Sequence, residues 1–439
     1  MKPNIFKSGD NQIIAIIFFS FIINYLFFYI IPTFLNVTQN SMYVSKPILN
    51  PVIGGDLKWT LNDGRDVLGL PIIEPDTPKG IPLYYTPVTY VFFGVLGLLS
   101  HRRAYYLFTV IQVLLFFFMP FIGSKFLKKK EGFSISPSII LILILGSSSY
   151  GLEYELQMGQ HNILSISLCI LGVYIFHYSE KQWRHILAIL LISIGFQLKI
   201  QFFLLILCLV RPDDTFKTLI KRGCIVSLIN LSLLLIAGYQ TMLNYISNLI
   251  AANNIPSYQP NHHSIRSFTY FQFQVIPLES LGLTPELVRW VLTIIVICCV
   301  FLTLKASLKS SFTIWGKYGL VVYSIAGCLL MPLSQDYRLA ALVLPFTIFL
   351  GNLSSEMNDK KLTYFQSCLL FIAITSLQMT FYRIDLRFYY HLWIYRFVPL
   401  TYMLNFITNA TPMLITIVVS ITAFFVSIRL KHNLSHAAV

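Results

Sequence analysis

Residues 186–210 read ILAILLISIGFQLKIQFFLLILCLV. Two apolar halves are joined through Gln197, Lys199 and Gln201. A charged side chain at that depth is expensive in hydrocarbon, and irregular backbone there is tolerated only where it is packed in protein or lines a wet cavity. Both flanks are basic, Lys181 to His185 before and Arg211 to Arg222 after. Basic loops stay on the cytoplasmic side, so both ends of the stretch belong to one face. Two half-length helices meeting at Lys199 fit these constraints.

The rest of the chain has the same solvent. Of 439 residues 56% are hydrophobic and only 11% charged, against about a quarter charged in a soluble domain. Apolar runs recur at 13–31, 104–123, 135–150, 161–178, 186–210, 223–240, 287–304, 318–332, 339–351, 362–381 and 411–428. At ~20 residues per crossing they predict an all-α, polytopic bundle of roughly ten to twelve helices, one multi-pass domain over 1–439. The first run is too long for a signal-peptide core and reads as a retained helix. The 15% aromatic content suits interface belts.

Net charge is +14. Its Lys and Arg occupy short loops between apolar runs, which is the positive-inside pattern rather than a nucleic-acid surface. The basic loops place both termini in the cytoplasm, with the plasma membrane as the expected location. The external loops are then 32–103, 151–160, 241–286, 332–338 and 382–410, with juxtamembrane helices among them. The stretch 83–100 is helical in pattern, but a full crossing there would carry Lys128, Lys129 and Lys130 outside, so it is expected to be juxtamembrane or re-entrant. The seven cysteines lie in or beside apolar runs and predict no disulfide framework.

External acids are few, which narrows the search for chemistry. Asp56 follows Gly54-Gly55, and Tyr84-Tyr85-Thr86-Pro87 brings the chain back to the interface. Asp56 reads as a general base for a sugar hydroxyl, or as a solvated turn aspartate. Glu153, Gln160 and Asn162, with His161 between them, could bind hydroxyls or phosphate; the bland alternative is a polar helix start capped by Asn162. Lys199 either snorkels or binds a phosphate. His262 and Arg266 could grip a diphosphate or orient a sugar, or simply hydrogen-bond their loop. Asp336 and Arg338 could bind ligand or pair with each other. No spacing predicts a metal site, and there is no nucleotide-binding loop, nucleophile elbow or zinc helix motif. No cofactor is expected.

Three stretches, in order, carry a resemblance to glycosyltransferase family 87, the polyprenol-phosphate-mannose-dependent α-mannosyltransferases of the membrane-embedded GT-C class. They are Gly55-Asp56 with Leu83-Tyr84-Tyr85-Thr86-Pro87, Met158-Gly159-Gln160-His161-Asn162-Ile163-Leu164, and Gly195-Phe196-Gln197-Leu198-Lys199-Ile200-Gln201. Together they span roughly residues 10–210. Thr86 before a single Pro87 departs from the family's Pro-rich pattern, and His161 stands where apolar residues are common. The resemblance implies a GT-C-like fold, a polyprenyl-phosphate sugar as donor, a glycan or glycolipid as acceptor, and inversion with Asp56 as base. It also implies cations such as Lys199 or Arg266 at the departing phosphate. Two other readings compete: a lipid-linked sugar flippase or transporter, which a half-helix hairpin also suits, and a polysaccharide polymerase or ligase relying on His262 and Arg266.

Overall fold

The computed structural model describes residues 8–25, 55–70, 85–127, 150–254, 264–275, 278–309, 318–331 and 341–356, with 417 and 419. The described residues form helices and connections, with no strand among them. They are α1 (Ser8–Tyr25), α2 (Gly55–Val67), α3 (Pro87–Leu96), α4 (His101–Leu127), α5 (Tyr150–Met158), α6 (Asn162–Tyr178) and α7 (Gln182–Leu198). A 3-10 segment, Ile200–Leu209, precedes α8 (Phe216–Leu235), α9 (Tyr239–Asn254), α10 (Ile265–Val275), α11 (Pro285–Lys309), α12 (Leu320–Leu330) and α13 (Val343–Glu356). The expected runs 135–149, 362–381 and most of 411–428 lie outside the described residues, as do the loops 332–338 and 382–410.

Three described helical stretches are long and apolar enough to cross a bilayer: His101–Ile122, Phe216–Leu235 and Pro285–Leu308. Many of their large side chains face outward, among them Leu107, Leu114, Phe118, Trp290, Ile294 and Phe301. None of the residues of α8 is buried, and Phe216, Ile220, Leu228 and Leu231 are all exposed. Such a surface is stable against hydrocarbon and not against water. The molecule is a helical membrane protein.

The stretch 186–210 breaks at Lys199, whose backbone turns extended at φ −141° and ψ 100°. The chain then doubles back. Gly172 of α6 abuts Ala188 and Ile192 of α7, and Gly195 of α7 abuts Ser165 and Cys169 of α6, so α7 runs antiparallel to α6. After the break Gln201 bonds Asn162 at the start of α6, while His177 near its end donates to the Cys208 carbonyl at 2.7 Å. The 3-10 segment therefore returns alongside α6. The arms are less equal than the sequence suggests: α7 has 17 residues, about 26 Å of α-helix, and the return has 10 in the tighter 3-10 form.

Backbone contact through glycine sets this packing. A Cβ on Gly172 or Gly195 would come within 2.8 Å of a facing carbonyl oxygen. Gly327 of α12 lies against the Gln201 carbonyl, where a Cβ would sit 1.8 Å away. Around these contacts Ile166, Ile170, Val173, Ile192, Phe202, Leu205, Val322 and Phe346 form the main core.

The hairpin's open end is tied by Arg211. Its guanidinium donates to the Ser179 carbonyl at 3.0 Å and lies over the Phe176 ring, as does that of Arg222, which pairs with Asp214. The basic flanks thus share the open end of the hairpin, and Lys199 occupies its closed end.

The segments expected to be external loops are largely helical where described. α2 packs on α3 through Gly64 and Gly94, whose backbones nearly touch. α3 starts at Pro87, where the missing N–H costs nothing. It has only 10 residues, about 15 Å of helix and half the ~30 Å of a bilayer core. The stretch 151–160 is not a loop: α5 fills most of it, and α9 and α10 occupy much of 241–286.

Candidate active site

The closed end of the hairpin meets the start of α2 and the turn between α5 and α6. That turn depends on Gly159. Its φ is +68°, a left-handed conformation that ends α5, and a Cβ there would lie 2.5 Å from Cβ of Leu57. Only glycine satisfies both conditions. The turn is closed by the Gln160 N–H donating to the Glu155 carbonyl at 2.9 Å.

Gln160 is thereby held between two charges. Its Nε2 donates to Oδ2 of Asp56, and its Oε1 accepts from Nζ of Lys199 at 2.7 Å. Its backbone carbonyl accepts from Nε2 of Gln112 on α4 at 2.5 Å. Lys199 also lies 4.7 Å from the centre of the Tyr85 ring and 3.5 Å from its hydroxyl. An ammonium so placed gains from both the ring face and the carbonyl end of α7.

Several bonds fix the hairpin tip. Nε2 of His161 donates to the Leu198 carbonyl at 2.9 Å, with its ring against Tyr85 and Phe93. Thr86 and Thr89 donate to the Gln197 carbonyl at 2.6 and 3.3 Å. Glu155 is fully buried. Its carboxylate accepts from the Ile163 N–H at 3.0 Å and from Nδ2 of Asn162 at 2.6 Å, and Oδ1 of Asn162 accepts from Gln201 at 2.8 Å. The cap of α6 is therefore Glu155. Asn162 is the first residue of that helix and links Glu155 to the hairpin, rather than serving as the cap.

Asp56 lies in the first turn of α2, half-buried, not in a solvated turn. Burial pushes its carboxyl above the usual carboxylate range, while the Gln160 hydrogen bond and the Lys199 charge pull it partly back. Lys199 is 4% exposed, too deep for its charge to be spent on bulk water. The pair offers a proton acceptor of raised basicity and a dry cation at one end of the bundle.

Of the residues singled out in the sequence, the structure brings together Asp56, Tyr85, Gln160, Asn162 and Lys199. Arg266 sits on α10, where its charge acts on Tyr270, itself donating to Glu286 at 3.0 Å. Tyr84, His262, Asp336 and Arg338 lie outside the described residues. Glu153 falls on α5, with its side chain outside them too. The sequence reading passed over Glu155 as a site residue and missed Gln112. A lone amide inside the apolar run 104–123 was the available signal for the latter.

A model of the family described as Glycosyltransferase family 87 matches residues 83–333, more than half of the chain. No curated protein and no solved structure matches. The matched span takes in Tyr85, Gln160, His161 and Lys199; Asp56 precedes it and meets it through Gln160.

Proposed function

The chain belongs to glycosyltransferase family 87, and we propose that it moves a hexose, mannose by its motifs, from a polyprenyl-phosphate carrier to a glycan or glycolipid acceptor at the extracytoplasmic face. On this reading the protein crosses the plasma membrane ten to twelve times with both termini in the cytoplasm. Chain 1–439 acts as one multi-pass domain.

Asp56 is the general base. It takes the proton of an acceptor hydroxyl as that oxygen attacks the anomeric carbon, and the bond from that carbon to the carrier phosphate breaks with inversion. The carrier leaves as a phosphate monoester, and the proton stays on Asp56 until water removes it. The raised proton affinity of Asp56 suits this work, because a base is most effective when its pKa approaches the working pH. Charge builds on the phosphate in the transition state, and Lys199 is the buried cation poised to stabilise it. Gln160 keeps base and cation in register.

The observation that carries this reading is the single carboxamide of Gln160 reaching both Asp56 and Lys199. The test is sugar transfer by the purified chain in lipid nanodiscs, using several polyprenyl-phosphate sugars with a glycolipid acceptor mixture. Asp56→Asn and Asp56→Ala should abolish transfer while folding and insertion are kept. Transfer retained by both variants rejects the base. Consumption of a lipid-diphosphate glycan in place of every monophosphate sugar favours the polymerase or ligase reading instead.

A further inference from the structure

The face of α2 that carries Asp56 also carries Trp59 and Asp63. Offsets of three, four and seven residues put these side chains on one side of a helix. The rise from Asp56 to Asp63 is about 10 Å, longer than one pyranose ring. Trp59 is 46% exposed, although the same helix buries Leu57 and Leu61 almost completely. The indole is therefore left out of a core that its own helix helps to build.

Asp63 is half-buried beside Asp66 and Tyr90. Among the described residues no side chain or backbone N–H donates to its carboxylate. Tyr90 in turn accepts from the backbone N–H of Tyr85 at 3.2 Å, the residue whose ring meets Lys199. The Trp59–Asp63 face is thus continuous with the candidate active site.

We propose that Trp59 and Asp63 form a saccharide subsite, holding a pyranose ring of the acceptor next to the one whose hydroxyl meets Asp56. The proposal rests on Asp56 acting on a sugar hydroxyl. The chemistry matches a sugar on both counts. The electron-rich face of an indole attracts the polarised C–H face of a pyranose, and a carboxylate lacking donors accepts its hydroxyls in charge-assisted hydrogen bonds. The donor sugar binds towards Lys199, so this subsite selects acceptors of two or more rings.

The other occupant for an exposed indole on a juxtamembrane helix is the lipid interface. The test separates the two. Equilibrium dialysis of the full chain in nanodiscs is run, without donor, against tritiated disaccharide α-glycosides of mannose, glucose and galactose. One of these should bind wild type. Asp63→Asn should weaken it at least about tenfold, as loss of charge-assisted hydrogen bonds does, and Trp59→Ala at least about fivefold. Trp59→Tyr should recover part of the loss, which guards against misfolding. Absence of binding to wild type, or unchanged binding in either Asp63→Asn or Trp59→Ala, overturns the subsite. So does quenching of Trp59 emission by brominated lipid that saturating disaccharide leaves unaltered. Because no donor is present, failure of sugar transfer would defeat the proposed function and leave these outcomes readable.

Discussion

Nζ of Lys199, at the break between α7 and its 3-10 return, donates to Oε1 of Gln160 at 2.7 Å. The other arm of that carboxamide donates to Asp56. One neutral side chain thus joins a carboxylate and an ammonium contributed by segments 143 residues apart in sequence. A Gln does this because it is donor and acceptor at once; no charged residue has both.

Gln160→Leu should therefore lower kcat by about 100-fold, the usual effect of losing one preorganised polar contact. Gln160→Glu keeps an acceptor for Lys199 but sets a carboxylate against Asp56, and should be equally poor. Both are read as steady-state transfer rates, with thermal melting as a control. A rate within threefold of wild type for Gln160→Leu, about 0.7 kcal/mol of barrier, would remove Gln160 from the mechanism.

Transfer should fall as pH drops, with the acid limb of kcat/KM above the usual carboxylate range. The sign follows from roles: the base works ionised, and burial makes Asp56 hold its proton more tightly. Gln160 and Lys199 both favour the ionised form. In residual-activity profiles of Gln160→Leu or Lys199→Met the limb should move further up. A downward move would contradict the assignment.

Asp63→Asn should stabilise the protein at neutral pH. The folded carboxyl is pushed up to about 6 by burial and by Asp66, so the folded state binds its proton more tightly than the unfolded chain. Stability then falls as pH rises through the interval from about 4 to about 6. The variant lacks this loss. Its melting temperature should exceed that of wild type above pH 6, and the two should converge below pH 4. Equal melting temperatures at pH 7.5 would count against a strained carboxylate.

Glu155→Leu should cost about 3 kcal/mol, because it strands the Ile163 N–H and the Asn162 amide in a buried site. Glu155→Gln keeps one acceptor and should lose about half as much. Thermal unfolding in one detergent ranks the two against wild type. Equal losses would mean that the charge of Glu155, rather than its two oxygens, is what the helix start requires.

Gly159→Ala should damage both fold and rate. The alanine must adopt φ near +68°, at about 1–2 kcal/mol, and its methyl must displace Leu57 from its 2.5 Å approach. Since Leu57 is next to Asp56, the displacement reaches the base. Transfer should fall more steeply than the melting temperature alone explains.

The membrane character and the break at Lys199 were legible because both are local. A lysine among apolar neighbours with basic flanks on both sides leaves few solutions. The grouping of Asp56, Tyr85, Gln160 and Lys199 was legible only as an ordered set of short motifs. Their contact depends on the chain reversing at Lys199 and on Gly159 turning left-handed. Glu155 could not be told from Glu153 by composition. The burial of Glu155 and its bonds to Asn162 and Ile163 are tertiary information. Gln112 was hidden for the same reason: its partner is a backbone carbonyl far away in sequence.

The reversal at Lys199 has a consequence for parity. An out-and-back excursion adds two rods and zero net passages, so whatever follows residue 210 resumes from the compartment that residue 182 left. Any hydropathy tally that scores 186–210 as one passage inverts the whole C-terminal half. Reporter fusions placed at 180 and at 213 should accordingly light up in the same compartment.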